Sequence, residues 1–193
     1  MISNFHSTDL SDNELVELSK TEPEYFGELI RRYQERLFGF IRRISYFSRE
    51  DIEDIVQETF IKAYKGLNLF DDDYKFSTWI YQIARNHTID AIRKKRARVE
   101  TIRLDEVETA KLFRSNVDMG KDLERRNDLE KVKNIIQSLP YKYKEVMILR
   151  FLEDKTYEEI MDIVEKPKGT VAALINRGRN LVREEARRIL NNN

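Results

Sequence analysis

Helical periodicity runs along most of this chain, and it restricts the fold more than any other feature. Between residues 26 and 44, apolar side chains recur every three or four positions. Alternation typical of strands is absent, and only six glycines and three prolines occur among the 193 residues. The sequence therefore predicts an all-α protein.

Two further helices are predicted in the first half of the chain. Ser48 is a candidate N-cap, with Asp51 three residues later. The segment "GLNLFDDDYK" ends the next helix and is predicted to be a loop, after which Ser77 is a candidate N-cap. The residues predicted to be buried between cap and loop are Ile52, Ile55, Val56, Phe60, Ala63, Tyr64 and Leu67.

The periodicity divides the chain into two parts. It fades between residues 99 and 128, and within residues 104–130 eight acidic residues outnumber five basic ones. We predict that this segment is a flexible linker with at most short helical pieces. The expected architecture is two small helical domains, residues 1–98 and 129–193, joined by the linker 99–128.

The second domain has the layout of a helix-turn-helix. A short helix is predicted to end near Val164, a turn passes through Pro167 and Gly169, and a second helix starts by Thr170. The face of the second helix that is predicted to pack on the first carries Val171, Ile175, Gly178 and Val182.

The opposite face of this second helix suits a DNA major groove. Asparagine can pair with adenine, arginine with guanine, and alanine can touch a thymine methyl group. A helix N-terminus also binds phosphate. The candidate DNA-reading residues are Lys168, Thr170, Ala172, Ala173, Asn176, Arg177 and Arg179. A solvated basic helix at a chain end would carry the same residue types, so the pattern alone leaves both interpretations open.

Residues 76–98, "FSTWIYQIARNHTIDAIRKKRAR", join an aromatic cluster to a basic run on one predicted helix. Aromatic faces stack with unpaired bases, and phosphates need Lys or Arg. The stretch therefore suits a strand whose bases have left the duplex. The alternative is that the aromatic residues fill the core and the basic run is solvated. The predicted core stripe is Ile80, Ile83, Ala84, His87 and Ala91, in which His87 is expected to be packed rather than bound to a metal.

Composition excludes several classes of function. Acidic and basic residues balance at 35 each, which argues against a simple nucleic-acid binder. The charge is segregated, however, because residues 91–103 hold six bases and one acid, and residues 166–190 hold seven bases and two acids. The chain has no cysteine, so it has no disulfide, zinc finger or catalytic thiol. No signal peptide or membrane span is recognisable, and we expect a cytoplasmic protein without metal or cofactor and without direct membrane insertion.

Three segments resemble a known family: "DIEDIVQETFIKAYKGLNLF", "FSTWIYQIARNHTIDAIRKKRAR" and "YEEIMDIVEKPKGTVAALINRGR". In this order and spacing they are similar to a bacterial RNA polymerase sigma factor of the extracytoplasmic-function type, within the sigma-70 family. The resemblance covers nearly the whole chain. It implies a transcription initiation factor, not an enzyme, with sigma region 2 in residues 1–98 and sigma region 4 in residues 129–193.

The resemblance also implies where core RNA polymerase binds. The helix around residues 54–65 would dock on a coiled coil of the largest polymerase subunits. The residues of that helix that are predicted to lie outside its buried face are Asp54, Gln57, Glu58, Ile61, Lys62 and Lys65. Ile61 is an apolar residue on this polar face, as an interface anchor would be, although single exposed isoleucines are common.

Promoter contacts follow from the resemblance in the same way. The −10 element would be read as melted strand, with Phe70 near a flipped base and the basic residues on phosphates. The implied −10 residues are Phe70, Lys75, Trp79, Arg85, Asn86, Arg93, Lys94 and Arg96. The −35 element would be read as duplex by residues 168–179. The implied partners are thus core polymerase, promoter DNA and an anti-sigma factor, which in this family is often membrane-anchored, and the implied setting is a stress response.

This chain departs from the family pattern at two places. Ala172, Ala173 and Leu174 replace the usual Lys/Arg–Ser–Arg triplet, so polar contacts to the −35 DNA are missing. Asp71–Asp73 put three acids on the loop that is expected to meet the −10 DNA. One acid could accept from a cytosine amino group, whereas the others would repel phosphate.

Other classes of protein fit the sequence less well. A duplex-binding helix-turn-helix regulator would need a dimerisation seam, and no second apolar seam is visible. An enzyme could use the carboxylates of residues 50–58, but only two histidines occur, His6 and His87, and no nucleophile or phosphate-loop motif is present. A helical adaptor that binds acidic proteins through its basic faces is the third alternative.

Overall fold

The computed structural model describes residues 10–102 and 128–191, without the side chains of Arg96 and of residues 98–102, 128–131 and 190–191. Every regular element within these ranges is helical, and the elements form two domains, so the predicted all-α, two-domain fold is confirmed. Most of the predicted linker, residues 103–127, lies outside the described residues. None of the described helices has both the length and the hydropathy that crossing a membrane requires.

Within residues 10–102, the N-terminal domain contains four α-helices: α1 (Asp12–Ser19), α2 (Phe26–Ile44), α3 (Arg49–Gly66) and α4 (Phe76–Ile102). Short 3₁₀ turns precede α2 at Pro23–Tyr25 and follow α3 at Leu67–Leu69. Helix α4 runs beyond residue 98, where the linker was predicted to begin, because neither Gly nor Pro interrupts the chain there.

Two predictions about helix starts had different outcomes. Ser48 caps α3, since its hydroxyl accepts from the Asp51 amide and the Asp51 carboxylate accepts from the Ser48 amide. Ser77 does not cap α4, because the Lys75 carbonyl already accepts from the Thr78 amide and Ser77 lies within the first turn. A backbone carbonyl can accept the first hydrogen bond of a helix without a side-chain cap. Periodicity therefore locates the start of a helix only approximately.

Helix α1 was not predicted, although its signal is present in the sequence. Ser11 and Glu14 form a capping box, the Ser-x-x-Glu pattern that marks a helix N-terminus. Leu15 and Val16 are fully buried in the domain core. These two residues anchor the helix in the core.

The C-terminal domain consists of α5 (Asp128–Ser138), α6 (Tyr141–Phe151), α7 (Tyr157–Val164) and α8 (Lys168–Asn191). Helices α7 and α8 form the predicted helix-turn-helix. Glu165 makes the turn in the left-handed conformation, at φ 54°. Helix α8 begins two residues earlier than predicted, so Gly169 lies in its first turn.

The predicted packing face of α8 is confirmed, and one glycine explains how closely it packs. Val171 and Ile175 are buried, and Gly178 lies against Met147 of α6. A Cβ at residue 178 would lie 2.7 Å from Met147 Cγ and 2.9 Å from its sulfur. Met147 is itself buried, so it cannot move aside without repacking.

The two domains pack directly on each other. Helix α7 lies along α4, and α6 lies against α2. Buried apolar residues of both domains join one continuous cluster. Polar side chains on α4 consequently face side chains of α6 and α7.

We predict that Gly178→Ala lowers the free energy of unfolding by about 1–3 kcal/mol, because overpacking against Met147 outweighs the gain in helix propensity. Denaturant unfolding measures the change. Gly169→Ala is the matched control, since nothing lies within 4 Å of its added Cβ. Equal stability of the two variants would show that α6 and α8 are less closely packed than described.

Candidate nucleic-acid interface

The exposed face of α3 brings together all six residues that were predicted to bind polymerase. Asp54, Gln57, Glu58, Ile61, Lys62 and Lys65 are all exposed on this helix. Ile61 is 54% exposed, and the neighbouring Tyr64, predicted to be buried, is 41% exposed. Since α3 packs mainly on α2 and α4, this face is left uncovered by the C-terminal domain.

His87 lies at the border of this face rather than wholly in the core. Its Nδ1 atom is 3.3 Å from a carboxylate oxygen of Glu58, and its Nε2 atom is buried without a hydrogen-bond partner. No group of three or more His, Cys, Asp or Glu side chains within residues 10–102 and 128–191 is placed to hold a metal ion.

An aromatic cluster underlies the loop that was predicted to read the −10 element. The ring of Phe70 is 5.2 Å from Trp79 and 6.2 Å from Phe76, between centroids. Phe70 is 7% exposed, and Trp79 is half-buried with its ring against Gly66. Phe70 therefore forms the floor of a site, and Trp79 forms part of its wall.

A cleft of about 400 Å³ opens above this cluster, between the two domains. Leu69, Asp71 and Tyr74 line it from the loop, together with the aromatic cluster. Met161, Asp162 and Glu165 line it from the C-terminal domain. Aromatic walls with nearby polar groups are suited to stacking an unpaired base.

Two predicted −10 residues are held by carboxylates of the C-terminal domain. The Arg85 guanidinium donates to Glu145 at 2.6 Å, and the two side chains are only 11% and 5% exposed. The Asn86 amide donates to Glu165 at 3.4 Å, and Gln82 donates to the same carboxylate at 3.0 Å. Sequence patterns did not predict these partners, because they lie some 60 to 83 residues away along the chain.

A second group of charged contacts joins the domains beside α2. The Glu153 carboxylate accepts from Arg43 at 2.7 Å and from the Tyr81 hydroxyl at 2.6 Å. Lys155 donates to the Ser77 hydroxyl at 3.0 Å and lies over the Tyr81 ring. Burial lowers the pKa of the Lys155 ammonium from its ordinary value, as expected when a cation loses water.

The remaining −10 candidates are solvent-exposed. Lys75 is 3.2 Å from Glu159 of α7, and Arg93 is 76% exposed beside Asp90. Lys94 is exposed, whereas the side chain of Arg96 lies outside the described part of the chain. Arg93 and Lys94 follow the aromatic cluster along α4, as the sequence predicted, whereas Lys75 precedes the helix.

The −35 candidates share the outer side of α8. Lys168, Thr170, Ala173, Asn176, Arg177 and Arg179 are exposed, and Ala172 is half-buried. Lys168 lies 3.6 Å from Glu158 at the start of α7. Leu174, in the divergent triplet, packs partly on the core. Within the described part of the chain, the N-terminal domain does not cover this side of α8.

We predict that Phe70→Ala lowers the free energy of unfolding by about 3 kcal/mol or more, because it empties a buried aromatic site. Leu69→Ala is the matched control: Leu69 is 88% exposed, and we expect a change within about 0.5 kcal/mol. Urea unfolding followed by the single tryptophan measures both variants. Little effect of Phe70→Ala on stability would indicate that the ring is free to leave the cluster.

Comparison with known proteins agrees with this geometry. Residues 29–98 match the family Sigma-70 region 2, and residues 129–182 match Sigma-70, region 4. The ECF RNA polymerase sigma-E factor of Haemophilus influenzae is 34% identical over 90% of this chain and 94% of its own length. The ECF RNA polymerase sigma factor SigW of Bacillus subtilis is 32% identical over 90% of this chain and 95% of its own.

Two solved structures share the fold over most of the chain. CnrH in complex with the cytosolic domain of CnrY is 22% identical, with a TM-score of 0.65 over 91% of this chain and 96% of the other. The sigma factor RpoE of Bartonella quintana, in complex with the anti-sigma factor NepR, is 23% identical, with a TM-score of 0.64 over 82% and 94%.

Both family regions and both full-length relatives point to the same class of protein. The relatives are transcription factors rather than enzymes, and they act in transcription initiation through promoter recognition. This chain belongs to the ECF RNA polymerase sigma factors.

Proposed function

We propose that this chain binds core RNA polymerase and directs it to promoters that have two separately read elements. The −35 element would be read as duplex by the outer side of α8. The −10 element would be read as melted strand by the loop after α3 and by α4. We also propose that the first domain spans residues 1–98, the linker residues 99–128 and the second domain residues 129–193.

The observation that carries the proposal is the continuity of two features on α4. Trp79 of α4 lines the cleft with Phe70 of the preceding loop, and Arg93 and Lys94 lie exposed farther along the same helix. An unpaired base can stack on such rings while phosphates a few nucleotides farther along the strand meet the cations. Duplex DNA would not reach both, because its bases remain stacked inside the helix.

Energetics explain why the proposed function needs polymerase. Melting about a dozen base pairs costs on the order of 15 kcal/mol, at roughly 1.4 kcal/mol per step. Stacking one or two bases returns only about 1–3 kcal/mol each. The chain alone cannot keep DNA melted, so strong promoter binding is expected only for the complex with core polymerase.

The docking surface for polymerase is proposed to be the exposed face of α3. Its carboxylates and lysines surround the apolar side chain of Ile61, an arrangement typical of an interface anchor with a polar rim. The isolated chain leaves this face uncovered, which is what a partner-binding surface requires.

An anti-sigma factor is proposed as a further partner. The two solved structures described above are complexes, one with the cytosolic domain of CnrY and one with the anti-sigma factor NepR. An inhibitor of this chain would act in the cytoplasm, where polymerase is, and could be anchored in the membrane. If pull-downs from unstressed cells recover no inhibitor, this part of the proposal fails.

Run-off transcription tests the proposed function. We expect that the chain, added to sigma-free core polymerase and genomic DNA fragments, produces discrete transcript starts that share two upstream elements. Ile61→Asp should abolish these starts, because a charge at the anchor prevents docking. Ile189→Asp is the matched control at another exposed isoleucine, which is 39% exposed, and it should leave the starts in place.

The opposite result would support the main alternative function. Absence of discrete starts, together with tight binding of the isolated chain to duplex DNA, would indicate a regulator that works without polymerase. In that case the aromatic cluster and the basic run of α4 would serve only structure and solubility.

A further inference from the structure

We propose that His87 is a positioning residue for polymerase docking, because it holds the Glu58 carboxylate in place on the exposed face of α3. This role rests on the proposed function and adds to it a residue that lies behind the docking face. His87 belongs to α4, so it is not on the helix that is proposed to touch polymerase.

The two side chains meet where α3 packs on α4. His87 Nδ1 lies 3.3 Å from Glu58 Oε2. The side chain of His87 is 23% exposed, whereas that of Glu58 is 66% exposed. The histidine is therefore largely inside the domain, and the carboxylate that it contacts reaches into solvent.

The surroundings of the imidazole determine which nitrogen carries the hydrogen of the neutral ring. A carboxylate can only accept a hydrogen bond, so Nδ1 of His87 has to be the donor to Glu58. Nε2 is buried without a hydrogen-bond partner in the described part of the chain, and in this tautomer it carries only a lone pair. The contact with Glu58 is thus the hydrogen bond that orients the ring.

The unpartnered nitrogen indicates that packing alone does not explain a histidine at this position. A buried polar atom without a partner costs stability, and an apolar side chain would avoid that cost. Ile83 and Ala84, one turn before His87 on the same stripe of α4, are buried and apolar. What His87 has and these neighbours lack is a donor that reaches the docking face.

Glu58 lies next to the proposed anchor of that face. Ile61 follows it by three residues, so the two side chains are neighbours on the surface of α3. An exposed glutamate side chain rotates freely, and a partner that binds it has to stop this rotation. Because His87 already restricts the Glu58 carboxylate, polymerase would contact it at a smaller cost in conformational entropy.

Two substitutions of His87 test this role. His87→Leu removes the donor and keeps the apolar packing, so we expect the dissociation constant for sigma-free core polymerase to rise about 5-fold, as for the loss of one hydrogen bond of ordinary strength. His87→Asn carries an amide donor near the place of Nδ1 and should bind within about 2-fold of the wild type. Competition against labelled wild-type chain measures both constants.

A double-mutant cycle shows whether the effect passes through Glu58. Glu58→Ala removes the acceptor at an exposed helical position. In that background, His87→Leu should change the affinity for polymerase no further, because the contact is already absent. Full additivity of the two substitutions, or an equal loss in His87→Asn and His87→Leu, would overturn the positioning role.

Unfolding in urea separates positioning from packing. We expect the midpoint of His87→Leu to be no lower than that of the wild type, because the substitution removes a buried nitrogen without a partner. A weaker affinity in a variant of this stability cannot come from misfolding. A histidine that only the core requires would give the reverse result, a lower midpoint with unchanged affinity for polymerase.

The outcomes also separate this role from the proposed function. If the wild-type chain gives run-off starts and His87→Leu binds polymerase as tightly, His87 has no part in docking and the sigma factor stands. If the wild-type chain neither binds core polymerase nor gives starts, the proposed function fails and this role fails with it. Ile61→Asp is the reference for lost docking.

A separate observation concerns the −10 loop, residues 70–75, and we propose that Asn13 of α1 positions this loop. The Asn13 side-chain amide donates to the backbone carbonyls of Asp72 and Tyr74, at 3.1 and 3.3 Å. Within the loop, the Tyr74 amide donates to the Asp71 carbonyl. Asn13 therefore ties the acidic part of the loop to α1, which precedes the residues that match Sigma-70 region 2.

Asn13 can hold the loop because α1 is itself packed firmly. Next to it, Asp12 accepts from Arg32 at 2.9 Å and from the Tyr33 hydroxyl. Farther along the helix, Leu15 and Val16 are fully buried. The two hydrogen bonds of Asn13 thus fix the loop against a rigid support.

Asn13→Asp tests this second role, since it places a carboxylate against two carbonyl oxygens. On the promoter found by run-off transcription, we expect about a 10-fold loss of preference for the −10 sequence, given two hydrogen bonds of ordinary strength. Affinity for core polymerase should not change, and hydrogen exchange at the Tyr74 amide should become faster. Glu17→Gln, exposed on the same helix, is the control.

An unchanged −10 preference in a folded Asn13→Asp variant would remove Asn13 from promoter reading. Asn13→Ala, which removes the donor without adding charge, should show the same loss more weakly. If the wild-type chain has no −10 preference at all, the proposed function fails, and the role of Asn13 in promoter reading fails with it.

Discussion

The burial of α4 is the constraint on which the rest of the structure depends. This helix packs on α2 and α3 through its apolar stripe, with Ile80 and Ala84 fully buried. Its polar flank then meets α7 of the second domain. Because one helix supplies both contacts, the core of the first domain also determines where Arg85 and Asn86 point. Packing of the first domain and its contact with the second are therefore coupled through a single helix.

The contacts between the domains are both charged and apolar. Arg85 and Glu145 form a nearly buried ion pair, and such pairs lose hydration energy that their attraction only partly returns. Buried apolar residues of both domains also join one continuous cluster, so charged and apolar contacts together hold the two domains in place.

Much of the fold was predictable because it depends on local spacing. The face of α2, the cap at Ser48 and the packing face of α8 follow from residues three or four positions apart. Where a prediction was wrong, a backbone group or a residue distant in sequence made the contact that was expected of the predicted residue. Ser77 is one example, since the Lys75 carbonyl starts α4 and the Ser77 hydroxyl accepts from Lys155 instead. Phe70 is buried by Phe76 and Trp79 of the following helix, contacts that local spacing does not show.

By itself, the sequence determined the helical class, the two-part division of the chain, its family and the residues that form each exposed face. These properties depend on helical periodicity, which relates residues a few positions apart, and on the order of the motifs, which can be read along the chain. Only the tertiary structure decided that Glu145 and Glu165 meet Arg85 and Asn86, and that Asn13 meets the loop. Pairings of this kind join residues about 60 or more positions apart, and they form only when packed helices bring the two groups within hydrogen-bonding distance.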